Sequence, residues 1–179
     1  VCPRAFDPLT LPLMYQHKRD EARHEAGHAV VAALLGFTVG EVSIDPPECD
    51  TGRTYIDGAL MVQRFTGRLT PSGKVMVAMM YAAGAVAQRT ENPWVVLETR
   101  ALADLASLRE LFDDTALTEI MYEVLRVLLR EDVRPLHEAL VERLLCEGTV
   151  GDPGVPPDPH LADPSTWTSF ASRLTLTHT

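Results

Sequence analysis

His24, Glu25 and His28 fall on the H-E-x-x-H spacing from which helical proteins build a hydrolytic zinc centre. Residues i and i+4 of an α-helix lie one above the other, so the two imidazoles can converge on a single metal ion. The carboxylate between them is suited to take the proton of an attacking water while the metal polarises the carbonyl under attack. Six His and thirteen Glu in 179 residues produce this pattern by chance in roughly 1–2% of chains of such composition. Context raises the signal. Asp20 to Leu35, DEARHEAGHAVVAALL, reads as one helix, polar at its start and apolar later, with Gly36 at a C′ position. Val31 and Leu35 extend the His24/His28 face and would turn it toward a core. Gly27 costs a helix on the order of 1 kcal/mol relative to Ala unless another element must approach closely. The competing reading, two ordinary helix histidines flanking a surface Glu, is disfavoured by the motif and its helical setting together.

A catalytic zinc needs a third protein ligand and one open position. His17 lies close to the start of the motif helix, His137 falls on a late amphipathic helix, and His160 and His178 fall in the tail, so these four are expected to face solvent. The downstream segment ETRALADLASLREL offers Glu98, Asp104 and Glu110. Asp104 is flanked by Ala101, Leu102, Ala103, Leu105, Ala106 and Leu108, where a carboxylate needs a cation or hydrogen-bond donors to offset desolvation. A metal would be such a partner; pairing with Arg100 or Arg109 is the structural alternative.

The elements that must position these residues follow from periodicity. Val39 to Ile44 alternates like a half-buried strand and stops at Asp45-Pro46-Pro47. A strand pair at Arg53–Ile56 and Ala59–Val62 would turn at Asp57-Gly58. From Thr70-Pro71-Ser72 the chain is helical, and Met76, Met79 and Met80 read as core filling. Further helices are expected from Glu98 to Leu111, Thr115 to Arg130, and Pro135 to Gly148. The fold class is mainly α (α+β), a helical zincin-like domain with a small β-hairpin or sheet after the H-E-x-x-H helix. Residues 1–17 read as an irregular leader, 18–148 as the domain, and 149–179 as a Pro- and Asp-rich tail, expected to be an extended arm.

Composition bounds the partners. A hydrophobic content of 46% over 179 residues supports one sizeable core. A net charge of −9 argues against general nucleic-acid affinity, which requires Lys and Arg to neutralise phosphates. The apolar stretches are shorter than the roughly 20 residues that span a bilayer, and no secretory signal is evident, so a cytoplasmic setting is the default expectation. Cys2, Cys49 and Cys146 are odd in number and widely spaced, which reads as spare thiols, with Cys146 expected to be buried at a helix end.

Several segments resemble the peptidase domain of the membrane-bound, ATP-dependent FtsH metalloproteases, over about residues 21 to 155. HEAGHAVVAALL is similar to that family's motif helix, VGEVSIDP to its following strand, AAGAVAQR to its GGRAAEE helix, and ETRALADLASL to the TTGASNDLxxAT segment. VRPLHEALVERLLCEGTV resembles the family's closing helix. The resemblance implies His24, His28 and Asp104 as zinc ligands and Glu25 as general base. It also implies a polypeptide substrate held by main-chain pairing along the strand around Val39 to Ile44. An oligomer is implied as well, since family peptidase domains form hexamers. Gln88 stands where the family has Glu, Arg100 and Ala103 replace its Gly and Asn, and Asp45-Pro46-Pro47 replaces Pro-Arg. No G-x-x-x-x-G-K-[ST] phosphate loop occurs in these residues, so ATP hydrolysis by that route is not expected, and unfolding would fall to a separate ATPase or regulatory partner. Two functions follow: a zinc endopeptidase without its own motor, or a non-catalytic, zinc-stabilised interaction module. Glu25 distinguishes them, because a purely structural zinc site does not need it.

Overall fold

The computed structural model describes residues 13–44, 53–56, 70–91 and 99–174. Ala59–Val62, proposed above as a strand, and Glu98, proposed as a ligand, lie outside them. Seven α-helices and a three-stranded antiparallel sheet are present among the described residues. α1 spans Leu13–Leu34, two turns longer at its start than its apolar periodicity suggests, and from Glu21 to Leu35 nearly every residue is buried. A helix covered on all sides is the centre of a fold rather than its surface. It ends in a Schellman motif: Phe37 N–H donates to the Ala32 carbonyl and Gly36 N–H to the Ala33 carbonyl, both at 2.9 Å, with Gly36 at φ 78°.

The sheet packs next to α1. β1 (Val39–Ser43) pairs with β2 (Arg53–Ile56) on one side and with β3 (Thr149–Val150) on the other, in the order β2-β1-β3. β1 is therefore not a free edge strand, and the expectation that it holds an extended substrate is corrected: at Val42 and Ser43 both of its sides are taken. The displacing strand is β3, two residues following Gly148, too short to show a period-2 signal.

α2 (Pro71–Glu91) runs antiparallel to α1 at close range. A Cβ at Gly27 would lie 2.6 Å from Ala87 Cβ and 2.7 Å from the Ala83 carbonyl oxygen, which accounts for a glycine in mid-helix. Met76, Met79 and Met80 are buried on α2, as their pattern implies. α3 (Thr99–Arg109) buries Ala101, Leu105 and Leu108, one stripe at i, i+4 and i+7. α4 (Asp114–Leu128) is capped by Asp113, whose carboxylate accepts from Ala116 N–H at 2.7 Å, and α5 (Arg134–Glu147) follows.

The Pro- and Asp-rich stretch after β3 does not extend into solvent. Asp158 and Asp163 each cap a short helix whose first residue is proline: α6 (Pro159–Ala162) and a 3-10 turn (Pro164–Trp167), followed by α7 (Thr168–Ala171). Leu161, Trp167, Phe170, Ala171 and Leu174 are buried against the core. Asp158 N–H donates to the Leu34 carbonyl at 3.0 Å, and Arg130 donates to the Asp158 carboxylate at 2.7 Å, so this segment is fastened to the end of α1. Cys146 is exposed and disulfide-bonded, not a buried spare thiol, and the other two cysteines lie outside the described residues. No helix among the described residues is long and apolar enough to cross a membrane.

Candidate metal centre

Three elements converge on one point. α1 supplies His24 and His28, α3 supplies Asp104, and α2 supplies the floor. His24 Nε2 and His28 Nε2 are 3.0 Å apart, and each lies 3.3 Å from Asp104 Oδ2. Ligand atoms at about 2.0–2.1 Å from a tetrahedral zinc are separated by roughly 3.3 Å, so these three fit the corners around one ion. They form the cluster of His, Cys, Asp and Glu suited to a metal among the described residues.

The His28 imidazole is oriented from behind. His28 Nδ1–H donates to the Met80 carbonyl at 2.8 Å, which leaves the lone pair on Nε2, the nitrogen that faces Asp104. The two rings meet edge to face with centroids 4.5 Å apart. Gly84 makes room for both: a Cβ there would sit 2.5 Å from His24 Cε1 and 2.6 Å from its Nδ1, and closer still to His28 Nε2. Gly84→Ala would ordinarily stabilise a helix by about 1 kcal/mol. At this position it is expected to push the imidazoles apart and lower zinc affinity at least about tenfold with helix content retained. Equilibrium zinc titration against circular dichroism checks this, and unchanged affinity would mean that the rings do not need the space.

Asp104 lies in the apolar stripe of α3 with its side chain 20% exposed. Burial pushes its carboxyl up, but hydrogen bonds and charge from His24 and His28 outweigh that and hold it well below the usual carboxylate range. Burial likewise pulls the His28 imidazole down, while the Asp104 hydrogen bond, the charges of Glu25 and Asp104, and the Met80 carbonyl more than compensate, leaving it raised. Burial, then Asp104, also push the Tyr81 phenol up. In metal-free protein the raised His28 stabilises the fold below its ordinary value near 6.5, and that contribution fades as pH rises through the raised value. The depressed Asp104 stabilises above its ordinary value near 3.9 and loses its effect as pH falls through the depressed one. Zinc, by contrast, requires His28 without its proton. The gap in melting temperature between zinc-loaded and metal-free protein is therefore expected to widen from about pH 6 to about pH 8. Differential scanning fluorimetry measures it, and a constant or narrowing gap would contradict the proton competition.

Glu25 is 2% exposed. Its Oε2 accepts from the Thr54 hydroxyl of β2 at 2.6 Å. Of the other ligand candidates, His17 and His160 are exposed and Glu110 lies exposed beyond the end of α3. His137 is buried, not solvent-facing as expected, and its Nε2–H donates to the Arg23 carbonyl at 3.3 Å, tying α5 to α1 behind the motif. Arg109 pairs with Asp114 rather than with Asp104. Gln88 is fully buried and donates to the Asp20 carbonyl at 3.3 Å, one turn of α1 before His24. Thr54, Met80 and Gly84 carried no chemical signal in the sequence; they reach the site through main-chain atoms, absent side chains or a distant strand.

No protein-family model matches the chain, and neither does any curated protein. Fold and site together define a mainly helical domain in which His24 and His28 of an H-E-x-x-H helix, with Asp104, form a cluster that can hold a metal ion.

Proposed function

We propose that the chain is a zinc-dependent endopeptidase domain that hydrolyses peptide bonds of unfolded or flexible polypeptides. In this reading His24, His28 and Asp104 hold the zinc and Glu25 is the general base. The observation that carries it is the convergence of three ligand atoms at tetrahedral spacing beside a buried carboxylate from the same helix. Bound zinc supplies Lewis-acid polarisation of the scissile carbonyl and makes a water acidic at neutral pH. Glu25 accepts a proton from the attacking water and delivers it to the leaving amine. Burying that carboxylate costs free energy that a purely structural site would have no reason to bear, which favours the enzyme over the zinc-stabilised interaction module.

The substrate is expected to be extended. Among the described residues the side of β2 away from β1 has no strand partner, and β2 is the strand that contacts Glu25, so it is the edge on which a peptide could add by main-chain pairing. A folded domain with several kcal/mol of stability offers such segments only through opening. A separate ATPase or regulatory partner, or assembly into an oligomer, would supply opening that this site does not. Purified protein with stoichiometric zinc is expected to cleave casein slowly, to stop on addition of a chelator, and to ignore ATP. Failure to cut any unfolded substrate despite full zinc occupancy would favour the interaction module instead.

A further inference from the structure

Thr54 makes a contact that peptide hydrolysis by zinc and Glu25 does not by itself require. Its Oγ1 lies 2.6 Å from Glu25 Oε2 and 3.0 Å from the Glu25 carbonyl oxygen. A hydroxyl has one hydrogen and donates to one acceptor at a time, and the shorter contact, to a carboxylate, is the stronger. We propose that Thr54 is the positioning residue of the general base: its hydroxyl holds Glu25 Oε2 and so fixes the rotamer in which the carboxylate takes the proton from water. This rests on the reading of Glu25 as the base.

The sheet gives Thr54 a rigid seat. Val42, its partner in register on β1, is also paired with Val150 of β3, so the point opposite Thr54 is held from both sides. A β-branched residue has a stiff χ1, which limits where the hydroxyl can go. A buried carboxylate free to change rotamer would spend part of its time out of line with the attacking water, and misplacement of about 1 Å can cost 10²-fold in rate. The proton balance is closed. One O–H bond of water breaks and an O–H bond forms on the Glu25 carboxylate. That proton then passes to the leaving nitrogen as the C–N bond breaks. Thr54 keeps its hydrogen throughout and only donates it to Oε2.

The test compares Thr54→Val, which keeps the β-branched shape without the hydroxyl, with Thr54→Ser, which keeps the hydroxyl. With zinc content equal to wild type, Thr54→Val is expected to lower kcat on an unfolded substrate by about 10- to 100-fold with KM changed less than about twofold. Thr54→Ser is expected to recover most of kcat, which a merely structural role for the strand would not predict. An independent measurement uses metal-free protein. The urea midpoints of Thr54→Val, Glu25→Ala and the double variant are expected to be non-additive, the double losing less than the sum of the singles. Wild-type kcat in Thr54→Val, or Thr54→Ser as impaired as Thr54→Val, would overturn the proposal. Additive midpoints would overturn it whether or not hydrolysis is seen. Absence of hydrolysis in the wild type, with non-additive midpoints, would count against the peptidase reading and leave the Thr54–Glu25 link standing.

Discussion

Glu25→Gln is expected to leave zinc content at wild-type level and to cut peptide hydrolysis by about 10²- to 10⁴-fold, the range over which a general base contributes to a rate. Gln has nearly the volume of Glu and its side-chain carbonyl can still accept from Thr54, so the contact between α1 and β2 survives. What disappears is the capacity to take up a proton. The three atoms expected to hold the metal, on His24, His28 and Asp104, are untouched. A lowered kcat with unchanged KM would place the loss in the chemical step. Metal analysis beside casein turnover measures both halves. Retention of more than about a tenth of wild-type turnover would move the base elsewhere.

Local patterns made the helical part of this fold legible. α4 and α5 carry apolar residues at a spacing near 3.6, α2 is a long run of small and apolar residues, and all three begin or end at Pro, Asp or Gly, signals that depend only on neighbours in sequence. His24 and His28 are likewise four residues apart on one helix, so their proximity needs nothing distant. Asp104 is a harder case. It stands 76 residues beyond His28, and what marks it is its apolar neighbours Ala101, Leu102, Ala103, Leu105, Ala106 and Leu108 together with the resemblance of ETRALADLASL to the family segment, not any spacing to the histidines.

What the sequence hid depends on contacts between distant segments. β3 has two residues, too few to alternate, and its effect is to turn β1 from an edge into a central strand. His137 looked like a surface histidine on an amphipathic helix, yet its face packs against the turn of α1 just before His24. The tail misled through its composition. Asp-Pro pairs suggest an extended chain when counted, but two of the three, Asp158-Pro159 and Asp163-Pro164, are each also a cap followed by a first-turn proline, and Leu161, Trp167 and Phe170 give the short helices something to bury. Thr54 reads as an ordinary strand residue until α1 is placed beside it.

Asp104→Ala carries the largest expected effect on the metal itself. Structural zinc sites bind with about 10–16 kcal/mol shared over four ligands, or about 2.5–4 kcal/mol for each, so losing one is expected to weaken zinc binding roughly 10²- to 10³-fold. The remaining pair of imidazoles would hold an ion only weakly, because no anionic ligand would bind it directly. Asp104→Asn separates charge from shape: it keeps an oxygen near Oδ2 but not the negative charge, so its affinity should fall between wild type and Asp104→Ala. Glu110→Ala, changing an exposed residue past the end of α3, should bind zinc as the wild type does. Competition with a chromophoric chelator resolves these differences. Full zinc occupancy in Asp104→Ala, together with its loss in Glu98→Ala or Glu110→Ala, would assign the third ligand to another carboxylate. The convergence of Asp104 on His24 and His28 would then be an ion pair of the metal-free protein, since the hydrogen bonds that depress its carboxyl require no metal to form.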